Sequence, residues 1–334
     1  MKAYNEHTPL LIDNTSIKKE DIFYYEETPH AKEFDETFSF YMETLKMHDK
    51  FGVEPSFLFF KNDTTINAYA AKVNEFYVIA INSGTIIHLI KCFKLQTNLL
   101  EGLNYNTFQA SIDLPINELM HQNAMHFTFY HKLGHLIQKS DLFIHKLYEK
   151  ISDEHEYSLK KHVLEFDADE FSAISMAAHI SQYATVTFGN ELTENDFETL
   201  LVIMCSSIFF YLVSFGTFKE NIYYEEGSHP HPILRITKIT FIIIKHSQST
   251  LNQNGIQMNL NTTEFTNKIM DFSFAISNKI ITSEHNMVSL FHEHMKKEVK
   301  GIGDHLVYIN EMMHGDKNLA IYKWNMNVKS IHRK

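Results

Sequence analysis

The sequence predicts an α+β fold that is mostly helical with a small sheet, and three observations support this fold class. An apolar run at residues 56–60 precedes an alternating stretch at 66–82 with a central Lys72-Val73-Asn74-Glu75 turn, which is typical of a strand followed by a hairpin. Apolar residues at helical spacing then recur along the chain. The 334 residues are 44% hydrophobic with only six prolines, so a large core is expected.

The first predicted helix spans residues 33–50, where Phe38, Tyr41 and Leu45 lie on one face. Further helices are predicted at 83–93, 123–139, 157–180 and 233–244, and again after a polar stretch that begins at residue 247. We expect three regions from this pattern: an N-terminal helical lead-in at 1–50, a main domain at 51–245 and a C-terminal helical region at 246–334.

Charge and cysteine content exclude some functions. The formal charge is -11, and lysine and arginine are scattered, so nucleic acid is not an expected partner. Cys92 and Cys205 lie far apart in apolar surroundings, which predicts buried, reduced thiols and no zinc held by sulfur. Residues 1–20 lack the pattern of a signal peptide, and this favours the cytoplasm.

The uncharged segment at 199–218, between Glu198 and Lys219, allows a different location. It is long enough to span a bilayer. Because it contains several hydroxyl side chains and is a single such span, the sequence favours a buried core helix. A membrane-spanning or membrane-lying helix is the alternative.

A candidate metal site comes from two predicted helices. His131 and His135 are four residues apart, so both can present a ring nitrogen to one metal ion, with Glu165 as the third ligand. Asp169 lies one turn after Glu165 and is expected to orient a ligand histidine. The fourth position would hold water. The alternative is that both histidines are core residues satisfied by hydrogen bonds, with no metal.

Lys132 occupies the position where the HExxH pattern of zinc peptidases has a glutamate that takes a proton from the metal-bound water. An ammonium group cannot accept that proton, and it would lie close to a divalent cation. We therefore expect turnover to be lower by orders of magnitude.

Two further candidates lie within and just after a proline-rich loop at 227–232. Its prolines restrict the conformations of His229, and a helix restarts near Arg235. A cationic or hydrogen-bonding side chain near a metal-bound intermediate can hold the developing oxyanion, and His229 or Arg235 is the candidate for this role.

Taken in order, four pieces of sequence resemble the gluzincin metallopeptidases, most closely the HtpX-like and CAAX-prenyl-protease-like families. The pieces are Ile66-Asn67-Ala68-Tyr69-Ala70, the His-x-x-Gly-His helix, Glu-x-x-Ala-Asp, and Ser-His-Pro followed by Arg235-Ile236. The chain is also similar to ImmA/IrrE-type and phage-exclusion (Lit-type) peptidases. The resemblance covers residues 56–245.

The resemblance implies a zincin-like domain in which zinc-activated water cleaves a protein or peptide substrate. It also implies that His131, His135 and Glu165 bind Zn²⁺, that Asp169 supports them, and that His229 and Arg235 line the site. Lys132 then has two explanations. The chain is an inactivated form of a working peptidase, or it is a pseudopeptidase that uses its metal-containing fold to bind a protein. A membrane-associated peptidase, anchored through 199–218, is a third possibility.

Overall fold

A computed structural model describes residues 2–47, 51–138, 157–214, 221–227, 229–281 and 287–316. These residues form a mostly helical structure with one three-stranded sheet, which confirms the α+β prediction at this level. The helices are α1 (Lys2–Asn14), α2 (Ala31–Met47), α3 (Ser83–Leu89), α4 (Asn106–Ala110), α5 (Ile116–Gln138), α6 (Leu159–Phe188), α7 (Glu194–Val213), α8 (Pro232–Gln253), α9 (Thr262–Ile280) and α10 (Met287–Gly315).

The sheet contains the predicted strand and hairpin. Its strands are β1 (Ser56–Lys61), β2 (Ala68–Val73) and β3 (Phe76–Asn82). The central strand β3 runs parallel to β1 and antiparallel to β2. Asn74 adopts a φ of 55° in the hairpin turn, a left-handed conformation that asparagine tolerates better than most residues.

The outer edge of β1 is covered by the N-terminal region. The Phe60 N–H donates to the Tyr4 hydroxyl at 3.1 Å, and the Leu58 N–H donates to Nε2 of His7 at 3.4 Å. On the same edge, the Phe60 carbonyl accepts a hydrogen bond from the Phe23 N–H at 2.8 Å. Helix α1 and the segment after it are therefore integral parts of the fold.

Several helices differ from their predicted bounds. Helix α5 begins at Ile116 rather than at residue 123, since Leu119 and Met120 already lie in the core. Helix α6 continues past residue 180 to Phe188, and a π-helical turn follows α3. Helix α8 begins at Pro232, because proline fits the first helical turn, where its missing N–H is not needed. Of the predicted helix ends, residues 48–50 and 139 lie outside the described residues.

Most of the uncharged segment belongs to α7. This helix is long and apolar enough to cross a membrane, and 83% of its apolar window is buried inside the protein. It packs against α5, α6, α8 and α9. Such burial is what the core-helix interpretation predicts. Residues 215–218 of the segment lie outside the described residues.

One hydrophobic cluster extends through the described residues, from Tyr4 to Met313. Its members come from all three predicted regions, and the division of the chain at residues 50 and 245 stays a prediction. Cys92 and Cys205 are free and buried, which confirms the prediction for both thiols.

Candidate metal centre

Helices α5 and α6 approach each other closely where they carry the predicted ligands. A Cβ atom placed on Gly134 would lie 3.0 Å from Cα of Ala168, so a small residue is needed on both helices. This close packing positions the histidines of α5 opposite Glu165 of α6.

The three predicted ligands lie together. Nε2 of His131 is 3.4 Å from Oε2 of Glu165, and Nε2 of His135 is 3.2 Å from Oε1 of the same carboxylate. One ligand atom from each residue lies within 4.8 Å of those of the other two. His131 and Glu165 are buried, and His135 is partly buried. This group could therefore hold a metal ion.

Two features of the group fit a bound metal. With metal–ligand bonds of about 2.0–2.1 Å in a tetrahedral site, neighbouring ligand atoms lie about 3.4 Å apart, close to the separations at Glu165. In addition, Oε2 of Glu165 is buried without a hydrogen bond of normal geometry. Arg235 lies 3.6 Å from this oxygen and offsets part of its charge, and a bound cation would supply the direct partner that the oxygen lacks.

Asp169 links His131 to helix α8. Its Oδ1 lies 2.9 Å from Nδ1 of His131. Nε and Nη2 of Arg235 donate to its two oxygens at 2.8 and 2.7 Å. Asp169 is thus fixed from one side by a bidentate pair and faces the histidine on the other, although Nδ1 of His131 makes no hydrogen bond of normal geometry. The orienting role of Asp169 stays a prediction.

His229 and Arg235 both reach Glu165. Nε2 of His229 lies 3.5 Å from Oε1, and the side chain of His229 is 58% exposed. Nη2 of Arg235 lies 3.6 Å from Oε2. Because Arg235 is buried and paired with Asp169, its charge serves the two carboxylates, whereas most of the His229 side chain is exposed.

Burial and charge together set the ionisation of the site. Although burial raises the pKa of Glu165, the charges of His229 and His135 lower it well below its usual range. Burial also raises the pKa of Asp169, but Arg235 overcomes this and holds it below its usual range. Burial lowers the pKa of His135 to about 4. The site therefore favours charged carboxylates and a neutral His135, which are the protonation states that bind metal.

Lys132 belongs to the same electrostatic environment. Burial lowers its pKa, and the charges of Glu165 and Asp169 oppose that shift. Burial is the main cause that lowers the pKa of His135; for His229 the charge of Glu165 opposes the lowering of the pKa by burial, and the charge of Lys132 lowers both values further. The side chain that replaces the expected glutamate thus lies close enough to act on the candidate ligands.

Sequence reasoning missed Gln138. Nδ1 of His135 donates to Oε1 of Gln138 at 2.9 Å, and Nε2 of Gln138 donates to Oδ2 of Asp167 at 3.0 Å and to the carbonyl of Leu164 at 2.9 Å. These bonds leave Nε2 of His135 unprotonated and directed at Glu165. The available signal was spacing, because Gln138 lies three residues after His135 on the same helix face.

The chain matches no known family model, no curated protein and no solved structure. The function is therefore inferred from the geometry of the site and from the order of the motifs.

Proposed function

We propose that this chain is a zinc-dependent metalloendopeptidase of the gluzincin type whose hydrolytic step is impaired by Lys132. The observation that supports this most directly is the convergence of His131 and His135 on Glu165, at 3.4 and 3.2 Å. Two imidazoles and one carboxylate form a ligand set that suits zinc and leaves a position for water.

The residues of the site have distinct roles in this proposal. His131, His135 and Glu165 would hold the ion, which when bound would polarise a scissile carbonyl and acidify water. Gln138 fixes the tautomer of His135, and Asp169 orients His131. The roles of Arg235 and His229 depend on their exposure.

Arg235 is buried, so it neutralises the two carboxylates rather than touching substrate. His229, which is exposed, is placed to contact an oxygen of the protein or peptide substrate.

Lys132 removes the general base. Burial lowers its pKa and the charges of Glu165 and Asp169 oppose that shift; in its ammonium form the side chain has no lone pair for the proton of water. General bases typically contribute about 10²–10⁴ to the rate, so the chain should cleave more slowly by that factor than a Lys132→Glu variant.

The test compares the chain, Lys132→Glu and Lys132→Gln on a denatured protein substrate, each with and without a chelator. We expect cleavage by Lys132→Glu alone and its loss with the chelator. Lys132→Gln is the matched control, because it removes the charge without supplying a base. Zinc content is measured on the same samples. If the chain and Lys132→Glu bind no zinc, the proposal is wrong and the histidines are structural.

The second candidate is a pseudopeptidase that binds a protein partner. It is favoured by Lys132 itself, since the contacts of His131 and His135 persist around a site that lacks its base. Zinc binding by all three proteins without cleavage by Lys132→Glu would support it.

A membrane-associated peptidase is the third candidate. It would require the uncharged segment to enter the bilayer, although 83% of the apolar window of α7 is buried in the core. We therefore propose a cytoplasmic protein, and solubility after purification without detergent would contradict the membrane-associated alternative.

A further inference from the structure

We propose that His229 is a fourth metal ligand, supplied by the loop before α8, which closes the position that a catalytic site keeps open for water. This inference rests on the proposed metal site. It assigns His229 a different role from contact with substrate, because a histidine bound to the metal must first be displaced.

The distances around Glu165 support this assignment. Imidazole nitrogens of His131, His135 and His229 lie 3.4, 3.2 and 3.5 Å from its oxygens. His131 approaches Oε2, whereas His135 and His229 both approach Oε1; neighbouring ligand atoms in a tetrahedral zinc site are about 3.4 Å apart. His131, His135 and Glu165 form the tight set in which all ligand atoms lie within 4.8 Å of one another. His229 stands at the rim of this set, so its ring has to move inward to complete the site.

The loop is anchored on both sides of His229. Before it, Nε2 of His162 donates to the Gly227 carbonyl at 3.2 Å. After it, His231 is fully buried, and its Nδ1 accepts a hydrogen bond from the Ile233 N–H at 3.2 Å at the start of α8. His229 lies on the short stretch between these anchors, and its side chain is 58% exposed.

Contacts with α10 hold the same loop from outside. The Tyr224 hydroxyl donates to Oε2 of Glu298 at 3.3 Å, and it lies over Gly301, where a Cβ atom would approach it to 2.5 Å. The ring of His231 packs edge-on against Phe291. The loop therefore keeps His229 near Glu165 even though the side chain itself is exposed.

The chemical consequence concerns access to the metal. Four protein ligands are typical of structural zinc sites, whereas three ligands and one water are typical of catalytic sites. With His229 bound, the ion would have no exchangeable water, and an incoming ligand would have to replace an imidazole. His229 would then have to leave the metal before the cleavage that Lys132→Glu is expected to restore.

The test uses the full chain loaded with Co²⁺ and azide as a probe of an open coordination position, followed by visible absorption. We expect the chain to bind one Co²⁺ and to keep its spectrum at azide concentrations that saturate His229→Ala. His229→Ala should also bind zinc at least about tenfold more weakly, because loss of a ligand should cost at least as much as loss of a supporting group. His246→Ala, at an exposed histidine of α8, is the matched control and should behave like the chain itself.

The outcomes separate this inference from the proposed function. Equal azide affinity of the chain and His229→Ala, with Co²⁺ bound to both, would overturn the fourth-ligand role and leave the three-ligand site intact. X-ray absorption should count three imidazoles in the chain and two in the variant. Failure of both proteins to bind Co²⁺ or zinc would overturn the metal site itself.

Discussion

The Arg235→Met variant tests whether one guanidinium allows two carboxylates to be buried side by side. Arg235 donates to both oxygens of Asp169 at 2.8 and 2.7 Å and lies 3.6 Å from Glu165. The side chains of Arg235 and Asp169 are 7% and 0% exposed. Removing one partner of such a buried pair leaves an uncompensated charge, which costs about 3–5 kcal/mol. Methionine fills much of the same volume, so the lost charge should dominate.

The effect should depend on pH. Arg235 outweighs burial and holds the pKa of Asp169 below its usual range. A carboxyl with a lowered folded pKa contributes stability above its unfolded pKa of about 3.9, and that stability is lost as the pH falls through the folded pKa. In Arg235→Met the pKa of Asp169 should rise, and Asp169 can then take up a proton. The destabilisation should therefore shrink from pH 7 to pH 5.

The assay is urea unfolding followed by circular dichroism at both pH values, with a chelator present so that metal makes no contribution. Arg235→Lys is the matched control; it keeps the charge but not the bidentate geometry, and its loss should be intermediate. The reasoning is refuted if Arg235→Met loses less than about 1 kcal/mol at pH 7, or loses as much at pH 5 as at pH 7.

Three further predictions concern other parts of the molecule. His121 is 5% exposed, neither ring nitrogen has a hydrogen bond among the described residues, and burial lowers its pKa to about 4. In the unfolded chain the ring has a pKa of about 6.5, so the free energy of unfolding should fall by up to about 3 kcal/mol as the pH drops from 6.5 to 4. Urea unfolding at both pH values should show this decrease in the chain and not in His121→Leu. Gly134→Ala should separate α5 from α6 and weaken zinc binding in a chelator competition, whereas Gly303→Ala, in open space on α10, should leave zinc affinity unchanged and add up to about 1 kcal/mol of stability. Zinc at a hundred times its Kd should raise the free energy of unfolding by about 2.7 kcal/mol, and thermal melting measures this effect. A melting temperature that zinc does not change, or an equal zinc-induced shift in His131→Ala, would contradict the metal site.

The parts that could be predicted from sequence depend on short-range pattern. His131 and His135 share a helix face because of their spacing, and the hairpin follows from alternation around Asn74. Glu165, the third candidate ligand, lies on another helix, and it was predicted from the order of the motifs along the chain. Glu165 does lie beside both histidines.

The rest depends on contacts between segments far apart in the chain. The loop contains two histidines flanked by proline, and sequence alone does not explain why His231 caps α8 while His229 faces Glu165. The difference comes from Tyr223 and Phe291, which enclose the His231 ring. Likewise, apolar composition leaves the location of α7 open, and the helices that surround it explain its burial.

Because the outer edge of β1 is covered, the two edges of the sheet differ in whether they can pair with another strand. The outward N–H groups of Leu58 and Phe60 and the Phe60 carbonyl are already paired with the N-terminal region. The opposite edge is β2, which packs beside α5. Any extended chain that joined the sheet by main-chain pairing would have to join at β2, alongside the helix that carries His131 and His135. The N-terminal region thus leaves β2 as the edge of the sheet at which a strand could be added.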